Sequence, residues 1–564
     1  MNSGGVPGFD TGETPVSSYD SAVKGSYASY NDAALIVLSR IGGEGADLPR
    51  TSLDQNGNKI AGARNADDHY LQLDQNETDL IKEVCNGGFK HVVVLINSAS
   101  VLECGFLDDP THYAYNEKID GAIFMSGPGK QGIMALGEIL NGDVNPSGRT
   151  CDTYDRDHKK SPTWNNFGNN RVDNGDKYTQ GGKGKAYYFV DYEEDIYVGY
   201  RYYETRGLTD GEEWYKNNVV YPFGYGLSYT TFSQEITNKS KLSSDPLKSD
   251  EKIEISVKVT NTGSVAGKEV VEIYGAAPYT ANGIEKSAKV LVGFEKTDII
   301  EPGKSETVKV KVDPYLLASY DCYDKNSNSF KGWELEKGDY TFYLSKNAHE
   351  VIDSFKKTLV NDEKYENDTK TGTKVENLFE DADDQLGTKL SRTNWEGTWP
   401  QTRTAEEKEF DKEFFDSCKA TDTDRPDNTY GTSDKLESAL SNIESEVSSG
   451  EISEDDGKVK LRDLTGADYN DPRWEQLLDQ ITFQEMVDMF SKGAFHTQAI
   501  LSIGKPKTND SDGPVGWTNF MEKETYKNTC SYAGEALLGC TWSTDIMYQL
   551  GKSIGNEALV GDDD

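Results

Sequence analysis

The chain has 564 residues, and its 97 acidic against 59 basic side chains give a formal net charge of −38. This balance excludes DNA, RNA and an anionic membrane surface as main partners, because each of them requires a basic binding surface. Hydrophobic residues make up 35% of the chain, which is enough for packed cores with some linker between them, so we expect several domains of about 150 residues each.

Residues 1 to about 225 alternate apolar strand patterns with helical patterns. The helix after the first strand begins with a capping-box pattern, Asp74 followed by Glu77, and the helical pattern IMALGEIL follows the third strand. Apolar strands joined by helices predict a parallel sheet covered by helices on both faces. The three strand patterns are ALIVLS (34–39), HVVVLIN (91–97) and DGAIFMS (120–126).

Residues 226 to 358 change to a strict alternation of apolar and polar side chains. With turn residues between short segments, this pattern is typical of a β-sandwich of immunoglobulin or fibronectin type III character. The four clearest strand patterns are KIEISVKVTNTG (252–263), EVVEIYGAAPYT (269–280), ETVKVKVD (306–313) and GDYTFYLS (338–345).

Residues 359–460 are acidic, rich in serine and poor in apolar side chains, so we expect a partly disordered linker. Helical patterns return in residues 461–564. Pro472 is predicted at a first helical position, Thr482 and Glu485 form a capping box, and STDIMYQLGKSIGNEAL carries one apolar face.

Two features concern the compartment. The first residues, MNSGGVPGFD, have neither the basic nor the apolar part of a secretory signal, and no apolar run approaches the roughly 20 residues that cross a bilayer. Seven scattered cysteines are typical of reduced thiols rather than of a disulfide framework. We therefore expect a soluble, cytoplasmic protein that does not bind membranes.

The segment GPGKQG (127–132) matches the G-x-G-x-x-G pattern of dinucleotide-binding turns. The helix after it is short and runs into NGDVNPSGR rather than into a strand that ends in an acidic residue. A tight turn is therefore favoured over nucleotide binding, and no cofactor is expected.

Metal sites lack their usual signs. There is no H-E-x-x-H or C-x-x-C pattern, and DQNGNK (54–59) has lysine where a calcium loop has its turn glycine. No metal site is therefore expected, and no G-x-S-x-G elbow indicates a serine hydrolase.

Two carboxylates are candidate site residues. Glu44 stands among glycines in VLSRIGGEGADLP, directly after a predicted parallel strand, where ligands often bind. Asp512 lies in the turn-like segment SDGPVGW. On the residues alone, a solvated loop glutamate and a structural turn aspartate remain the alternatives.

These segments together resemble glycoside hydrolase family 3, the β-glucosidase family, over nearly the whole chain except the acidic linker. VLSRIGGEGADLP resembles its acid/base segment, HVVVLINSASVLE and GEILNGDVNPSGRT its α/β sandwich domain, and YPFGYGLSYTTF and TGSVAGKEVVEIYGAAPY its fibronectin-like domain. TFQEMVDMF, SDGPVGW and STDIMYQLGKSIGNEAL resemble the start of its (β/α)8 barrel. Sandwich and fibronectin-like modules come first here, as in the inverted-order members of the family, and GPGKQG departs from the Pro-Gly-Gln-Glu-Gly often found there.

The resemblance implies a retaining exo-β-glycosidase that acts on β-glucosides or cello-oligosaccharides. It implies that Glu44 is the general acid/base and that Asp512 binds substrate hydroxyls. It also implies four segments: an α/β sandwich domain (1–225), a fibronectin type III-like β-sandwich (226–358), the linker, and the first part of a barrel (461–564).

The nucleophile of the family is an aspartate in a Ser-Asp-Trp or Ser-Asp-Tyr context. The Ser-Asp pairs here end at Asp245, Asp250, Asp434 and Asp512, and none has that context. A barrel needs about 250 residues, so we expect a fragment that is truncated within the barrel, lacks the nucleophile and is inactive alone. We also expect the first part of the sandwich to be missing.

Two alternatives stay open. One is a non-catalytic carbohydrate-binding or scaffolding protein, and the other, within the enzyme class, is a β-xylosidase. The sequence does not predict the oligomeric state.

Overall fold

The structure is a computed structural model. It describes residues 8–42, 48–166, 170–171, 188–377, 388–409, 457–493, 496–511, 513, 515–517 and 529–560. The described residues belong to two compact units, one within 1–409 and 531–555 and the other within 410–530 and 556–564.

The first unit begins with a three-stranded parallel sheet, in the order β1-β2-β3. The capping box of the helix after β1 is present, because Asp74 accepts from the Glu77 N–H and Glu77 accepts from the Asp74 N–H. The predicted strands and this helix are confirmed. Their bounds are β1 (Ala33–Ser39), α2 (Gln75–Asn86), β2 (His91–Asn97), β3 (Gly121–Phe124) and, before β1, α1 (Ser21–Ser26).

The two faces of this sheet are buried unequally at its first strand. Ile36 and Leu38 of β1 are buried against α2, whereas Leu35 and Val37 on the opposite face are 47% and 46% exposed. Helix α3 (Gly129–Leu140) begins four residues earlier than predicted and contains no buried residue. The expectation of helices packed on both faces is therefore not met within the described part of the chain.

The turn before α3 has a packing role. Gly127 and Gly129 have φ of +60° and +75°, a region that favours glycine. A Cβ on Gly129 would lie 2.6 Å from the Ser531 backbone oxygen, and Lys130 N–H donates to that same oxygen at 3.0 Å. The tight turn predicted for GPGKQG is confirmed, and its second glycine makes room for another stretch of backbone.

A cluster of aromatic side chains follows in the same unit. Helix α4 (Tyr200–Asp210) contributes Tyr202 and Tyr203, and the cluster is completed by Leu390 and Trp395. These last two residues lie in the predicted linker, and they are 0% and 7% exposed. Residues 388–403 are therefore not the disordered linker that the sequence predicted. Their few apolar side chains pack into an aromatic core whose other members lie far away in the sequence.

The alternating patterns form the predicted β-sandwich. Its sheets are antiparallel and run in the orders β11-β10-β15-β16, β12-β9-β8 and β13-β14-β17. Its core is a single cluster of aliphatic and aromatic side chains from these strands. The bounds are β8 (Phe232–Ile236), β9 (Ile253–Asn261), β10 (Val270–Ala276), β11 (Val290–Lys296), β12 (Ser305–Val312), β13 (Ser319–Asp321), β14 (Gly332–Leu335), β15 (Gly338–Ser345), β16 (Val351–Leu359) and β17 (Glu363–Tyr365).

The short elements complete this unit. They are β4 (Tyr154–Asp155), β5 (Asn170–Arg171), β6 (Tyr188–Phe189), α5 (Glu212–Asn218), β7 (Val219–Tyr221), α6 (Lys239–Ser244) and, in residues 531–555, α9 (Glu535–Gly539).

The motifs GDVNPSGR and FGYGLSY contact each other where the parallel-sheet part meets the β-sandwich. Asn145 Oδ1 accepts from the Tyr229 N–H at 2.8 Å, and Asn145 Nδ2 donates to the Ala266 backbone oxygen at 3.0 Å. A Cβ on Gly226 would lie 2.2 Å from the Gly148 backbone oxygen. The two motifs therefore form one joint.

The second unit has a small apolar core made by Leu464, Leu477, Ile500 and Ile503. The Thr482–Glu485 capping box is present, whereas Pro472 directly precedes its helix instead of occupying the first helical position. The elements are α7 (Arg473–Leu478), α8 (Phe483–Ser491), β18 (His496–Thr497) and β19 (Thr508–Asn509); α10 (Thr544–Val560) runs from the first unit into residues of the second.

The barrel predicted for residues 461–564 is not confirmed. The described strands of this region are one antiparallel pair, β18 with β19, and the boundaries predicted near residues 225, 358 and 460 stay predictions. No helix within the described ranges is both long and apolar enough to cross a membrane.

Candidate functional site

Both predicted site residues, Glu44 and Asp512, lie outside the described residues. The residues that flank Glu44 are described on both sides, and they are Arg40 to Gly42 and Leu48 onwards. The described residues around the Glu44 segment therefore define the candidate site.

These surroundings lie at the carboxyl edge of the parallel sheet. Arg40 directly follows β1, and its N–H donates to the backbone oxygen of Asn97 at the end of β2, at 3.1 Å. The side chain of Asn97 accepts from the Gly127 N–H after β3 at 3.0 Å. Three strand ends are thus tied together at the edge where parallel sheets bind ligands.

Arg40 anchors the chain four residues before Glu44. Its guanidinium is 2% exposed and forms a bidentate ion pair with the Glu77 carboxylate, with N–O distances of 2.6 and 2.8 Å. The other three N–H groups donate to the backbone oxygens of Ser39, Tyr70 and Gln72. All five donors of the buried cation are therefore satisfied, which fixes the end of β1 against the start of α2.

Tyr70 holds both described ends of the Glu44 segment. Its hydroxyl accepts from the Ile41 N–H at 3.1 Å, on the side before the segment. Its own N–H donates to the Pro49 backbone oxygen at 3.1 Å, on the side after it. One 7% exposed tyrosine thus fixes the two points between which residues 43–47 are connected.

The cavity beside Tyr70 is small. It is lined among others by Asp74 and His69 and has a volume of about 20 Å³. That volume holds one water molecule and no sugar ring, so this cavity is not a substrate pocket.

Next to Tyr70 lies a buried network of charged and aromatic side chains. His69 Nδ1 accepts from the Leu71 N–H at 3.2 Å, so Nε2 carries the proton and donates to Glu103 Oε1 at 2.8 Å. Burial lowers the pKa of His69, in agreement with a neutral ring. The same Glu103 oxygen also accepts from the backbone N–H of His158 at 2.9 Å, which links the two histidines.

His158 is the charged member of this network. Its Nδ1 lies 2.5 Å from Asp155 Oδ1 and its Nε2 lies 2.9 Å from the Val101 backbone oxygen. Because both neighbours are acceptors, both ring nitrogens must donate, which requires the imidazolium form. Burial opposes the charge, but the carboxylate of Asp155 overcomes it and raises the pKa of His158 to about 9.

The His158–Asp155 pair predicts a pH-dependent stability. The pKa is raised from 6.5 to about 9 on folding, so the stabilisation is complete below pH ~6.5 and is lost as the pH rises through ~9, with a full size of about 3 kcal/mol. We expect His158→Gln to lower the free energy of urea unfolding more at pH ~6 than at pH ~10.

The matched control for this prediction is His91→Gln. The His91 side chain is 67% exposed at the start of β2, so its replacement is expected to change the unfolding free energy little at either pH. An equal effect of His158→Gln at both pH values contradicts the imidazolium assignment.

The sequence did not indicate that Arg40 and Tyr70 hold this segment, and it marked Glu77 only as part of a capping box and not as the partner of Arg40. The available signal was a basic residue directly after an apolar strand and an acidic residue in the first turn of the next helix. No cluster of three or more histidine, cysteine, aspartate or glutamate side chains within the described ranges is placed to hold a metal ion.

Comparison with known families gives two matches. The glycosyl hydrolase family 3 C-terminal domain matches residues 15–200, and the fibronectin type III-like domain matches residues 269–348. The second range lies within the antiparallel β-sandwich.

Curated relatives and solved structures agree with these matches. The chain is 30% identical to β-glucosidase A of Butyrivibrio fibrisolvens over 94% of this chain and 60% of that protein, and 33% identical to a β-glucosidase of Ruminococcus albus over 60% and 30%. The chain therefore spans less than two thirds of these relatives. A β-glucosidase structure from Paenibacillus barengoltzii shares the fold with a TM-score of 0.61, at 22% identity over 97% of this chain and 51% of that one.

The two domain matches stand in the order that the sequence predicts, the sandwich-type domain before the fibronectin-like domain. The relatives matched over most of the chain are β-glucosidases. The chain is therefore similar to the β-glucosidases of glycoside hydrolase family 3, whose C-terminal domain its residues 15–200 match.

Proposed function

We propose that the protein is a retaining exo-β-glucosidase that removes terminal non-reducing glucosyl residues, and that Glu44 is its general acid/base. The observation that supports this most is the anchoring of the Glu44 segment at the carboxyl edge of the sheet. Arg40 and Tyr70 fix both flanks of that segment with hydrogen bonds, of which the one from Arg40 to the Tyr70 backbone oxygen is buried, and this is the rigidity that a positioned acid requires.

The reaction needs two carboxyl groups about 5–5.5 Å apart. One carboxylate attacks the anomeric carbon while protonated Glu44 gives its proton to the leaving oxygen, so that a glycosyl ester forms and the alcohol departs. Glu44 then takes a proton from water, which attacks the anomeric carbon and releases glucose and the first carboxylate. For this role its pKa must be raised by burial or by the nearby negative charge.

Asp512 has a binding role in the proposal. A charged carboxylate is a strong acceptor for sugar hydroxyls, and the position of Asp512 in SDGPVGW matches the segment implied by the resemblance. It orients the terminal sugar rather than taking part in proton transfer.

The attacking carboxylate is proposed to come from residues other than these 564. None of the four Ser-Asp pairs has the Ser-Asp-Trp or Ser-Asp-Tyr context, and the relatives contain further sequence that this chain does not cover. The 564-residue chain alone is accordingly proposed to be inactive.

The test compares two proteins, the purified 564-residue chain and the polypeptide from the complete gene. We expect the second to hydrolyse p-nitrophenyl β-glucoside and cellobiose, with lower kcat/KM on the β-xyloside, and the first to hydrolyse none of them. If kcat/KM is higher on the β-xyloside than on the β-glucoside, the protein is a β-xylosidase and the proposed substrate is wrong. Binding of cello-oligosaccharides by both proteins without hydrolysis by either supports a carbohydrate-binding function and overturns the proposal.

A further inference from the structure

Two cysteines that are far apart in the sequence lie side by side in the first unit. Cys151 comes shortly after the GDVNPSGR motif, and Cys540 directly follows α9. Their Sγ atoms are 3.6 Å apart, although 389 positions separate the two residues along the chain. Both thiols are free, and neither has a role in the function proposed above. The scattered positions of the seven cysteines gave no sign of this pair.

Hydrogen bonds join the two segments that carry these thiols. The Arg149 N–H donates to the Cys540 backbone oxygen at 2.9 Å. Lys296 Nζ, at the end of β11, donates to the backbone oxygens of Ser147 and Thr541 at 2.9 and 2.7 Å. The backbone of each segment is thus fixed against the other, so that the two sulfurs are held close by their surroundings.

An aromatic side chain holds the second segment in place as well. Trp542 stands two residues after Cys540 and is 5% exposed. Its ring packs against Phe223 and Phe294, with ring centroids 5.2 Å apart in both contacts. The position of Cys540 is therefore set by a buried anchor and not by a loose chain end.

The surroundings of the two sulfurs permit a bond between them. Cys151 is partly exposed, whereas Cys540 is buried, so an oxidant can reach the pair from the side of Cys151. Gly539 leaves the space beside the Cys151 Sγ open, since a Cβ there would lie 3.5 Å from that sulfur. A disulfide needs sulfurs about 2.05 Å apart, so the two atoms must approach each other by about 1.5 Å, a distance that rotation about one Cα–Cβ bond covers.

We propose that Cys151 and Cys540 form a reversible disulfide when the protein meets a disulfide oxidant such as oxidised glutathione. One thiolate of the pair attacks a sulfur of the oxidant and displaces a thiol. The other thiolate then attacks the protein sulfur of this mixed disulfide and displaces the second thiol. The protein loses two electrons and its two thiol protons, and the oxidant takes them up as two thiols. A dithiol reverses both exchanges.

The bond fixes a segment that borders two parts of the first unit. Residues 531–542 also contact the turn before α3, because the Gly534 N–H donates to the Gly127 backbone oxygen at 2.9 Å. The disulfide therefore ties to the joint a segment that also reaches the carboxyl edge of the parallel sheet. Since it links residues 389 positions apart, it also removes conformational freedom from the unfolded chain. We therefore expect oxidation to raise the melting temperature of the protein, independently of any glycosidase activity.

The experiment compares the purified 564-residue chain in dithiothreitol with the same chain after incubation with oxidised glutathione at pH ~8.5, where thiolates form more readily. The remaining thiols are alkylated, and the protein is digested for mass spectrometry. We expect the oxidised sample to contain the Cys151 peptide joined to the Cys540 peptide. Its Tm is expected to be higher by at least about 3 °C, and dithiothreitol is expected to reverse both changes.

Two variants remove one partner each. Cys151→Ser changes a partly exposed position and should fold, and Cys540→Ser changes the buried partner. Both are expected to lose the joined peptide and the oxidant-dependent rise in Tm. The matched control is Cys530→Ser, which removes an exposed cysteine and is expected to change neither readout.

Three outcomes overturn the proposal. The first is the absence of the joined peptide in an oxidised chain whose Cys530 carries glutathione, because the oxidant has then acted and the pair has not closed. The second is a joined peptide that forms only when the chain is unfolded in urea. The third is an oxidant-dependent rise in Tm that is as large in Cys151→Ser as in the unchanged protein.

Discussion

Replacing Glu44 by alanine in the complete protein is expected to lower kcat by about 10²- to 10⁴-fold for substrates with poor leaving groups. The size of the loss depends on whether the leaving group must be protonated in the transition state. Cellobiose and alkyl glucosides depart as basic alkoxides and need the proton in the transition state, whereas dinitrophenolate leaves without it. The loss should therefore grow with the pKa of the leaving alcohol, and it is measured as kcat/KM across a series of aryl and alkyl β-glucosides.

Azide gives the second readout for this variant. With an activated substrate the variant accumulates its glycosyl ester, because no base remains to deprotonate water. Azide attacks without that help, so it should restore turnover and give β-glucosyl azide as the product. Glu117→Ala, at an exposed turn position, is the matched control and should change neither rate nor azide response. A Glu44→Ala enzyme with an unchanged rate on cellobiose removes Glu44 from the mechanism.

The largest expected effect on stability comes from Arg40→Met. The guanidinium and the Glu77 carboxylate are 2% and 3% exposed, so the variant leaves a buried carboxylate without its cation. Breaking one side of such a pair costs about 3–5 kcal/mol. We expect that loss in the free energy of urea unfolding of the 564-residue chain, followed by circular dichroism.

Two further variants separate charge from packing. Arg40→Met combined with Glu77→Leu removes both charges and should recover a large part of the loss, although the capping bond of Glu77 is lost as well. Lys24→Met breaks the exposed Lys24–Glu83 pair, 3.2 Å apart, and should cost less than about 1 kcal/mol. If Arg40→Met costs no more than Lys24→Met, the anchoring role of Arg40 is refuted.

The strands and helices of this chain were predictable because their signals are local. The apolar runs before Arg40 and the capping boxes at Asp74 and Thr482 depend on residues a few positions apart, and the structure confirms them. The strands of the β-sandwich were predictable for the same reason, because one face of each strand is buried and its side chains alternate between apolar and polar.

The missed features depend on residues far apart in the sequence. Leu390 and Trp395 lie in an acidic segment, and nothing near them indicates that the aromatic cluster around Tyr202 will bury them. Likewise, the role of Tyr70 depends on contacts 21 and 29 residues away, and no local pattern marks it.

The candidate site was predictable only through the family resemblance. Glu44 and Asp512 were singled out as carboxylates in glycine-rich turns, a pattern that by itself does not separate catalysis from a solvated loop. Their roles stay predictions. The hydrogen bonds of Arg40 and Tyr70 that hold both flanks of the Glu44 segment are observed in the structure.

The joint between GDVNPSGR and FGYGLSY limits how such proteins can be recombined. The Gly148 backbone oxygen lies so close to Gly226 that no side chain can stand at position 226. The two segments therefore fit only as a pair. A chimera that takes its sandwich domain from one relative and its fibronectin-like domain from another must inherit both halves of the joint from one parent. Crossover points for domain exchange therefore belong before Gly142 or after Tyr229, and not between them.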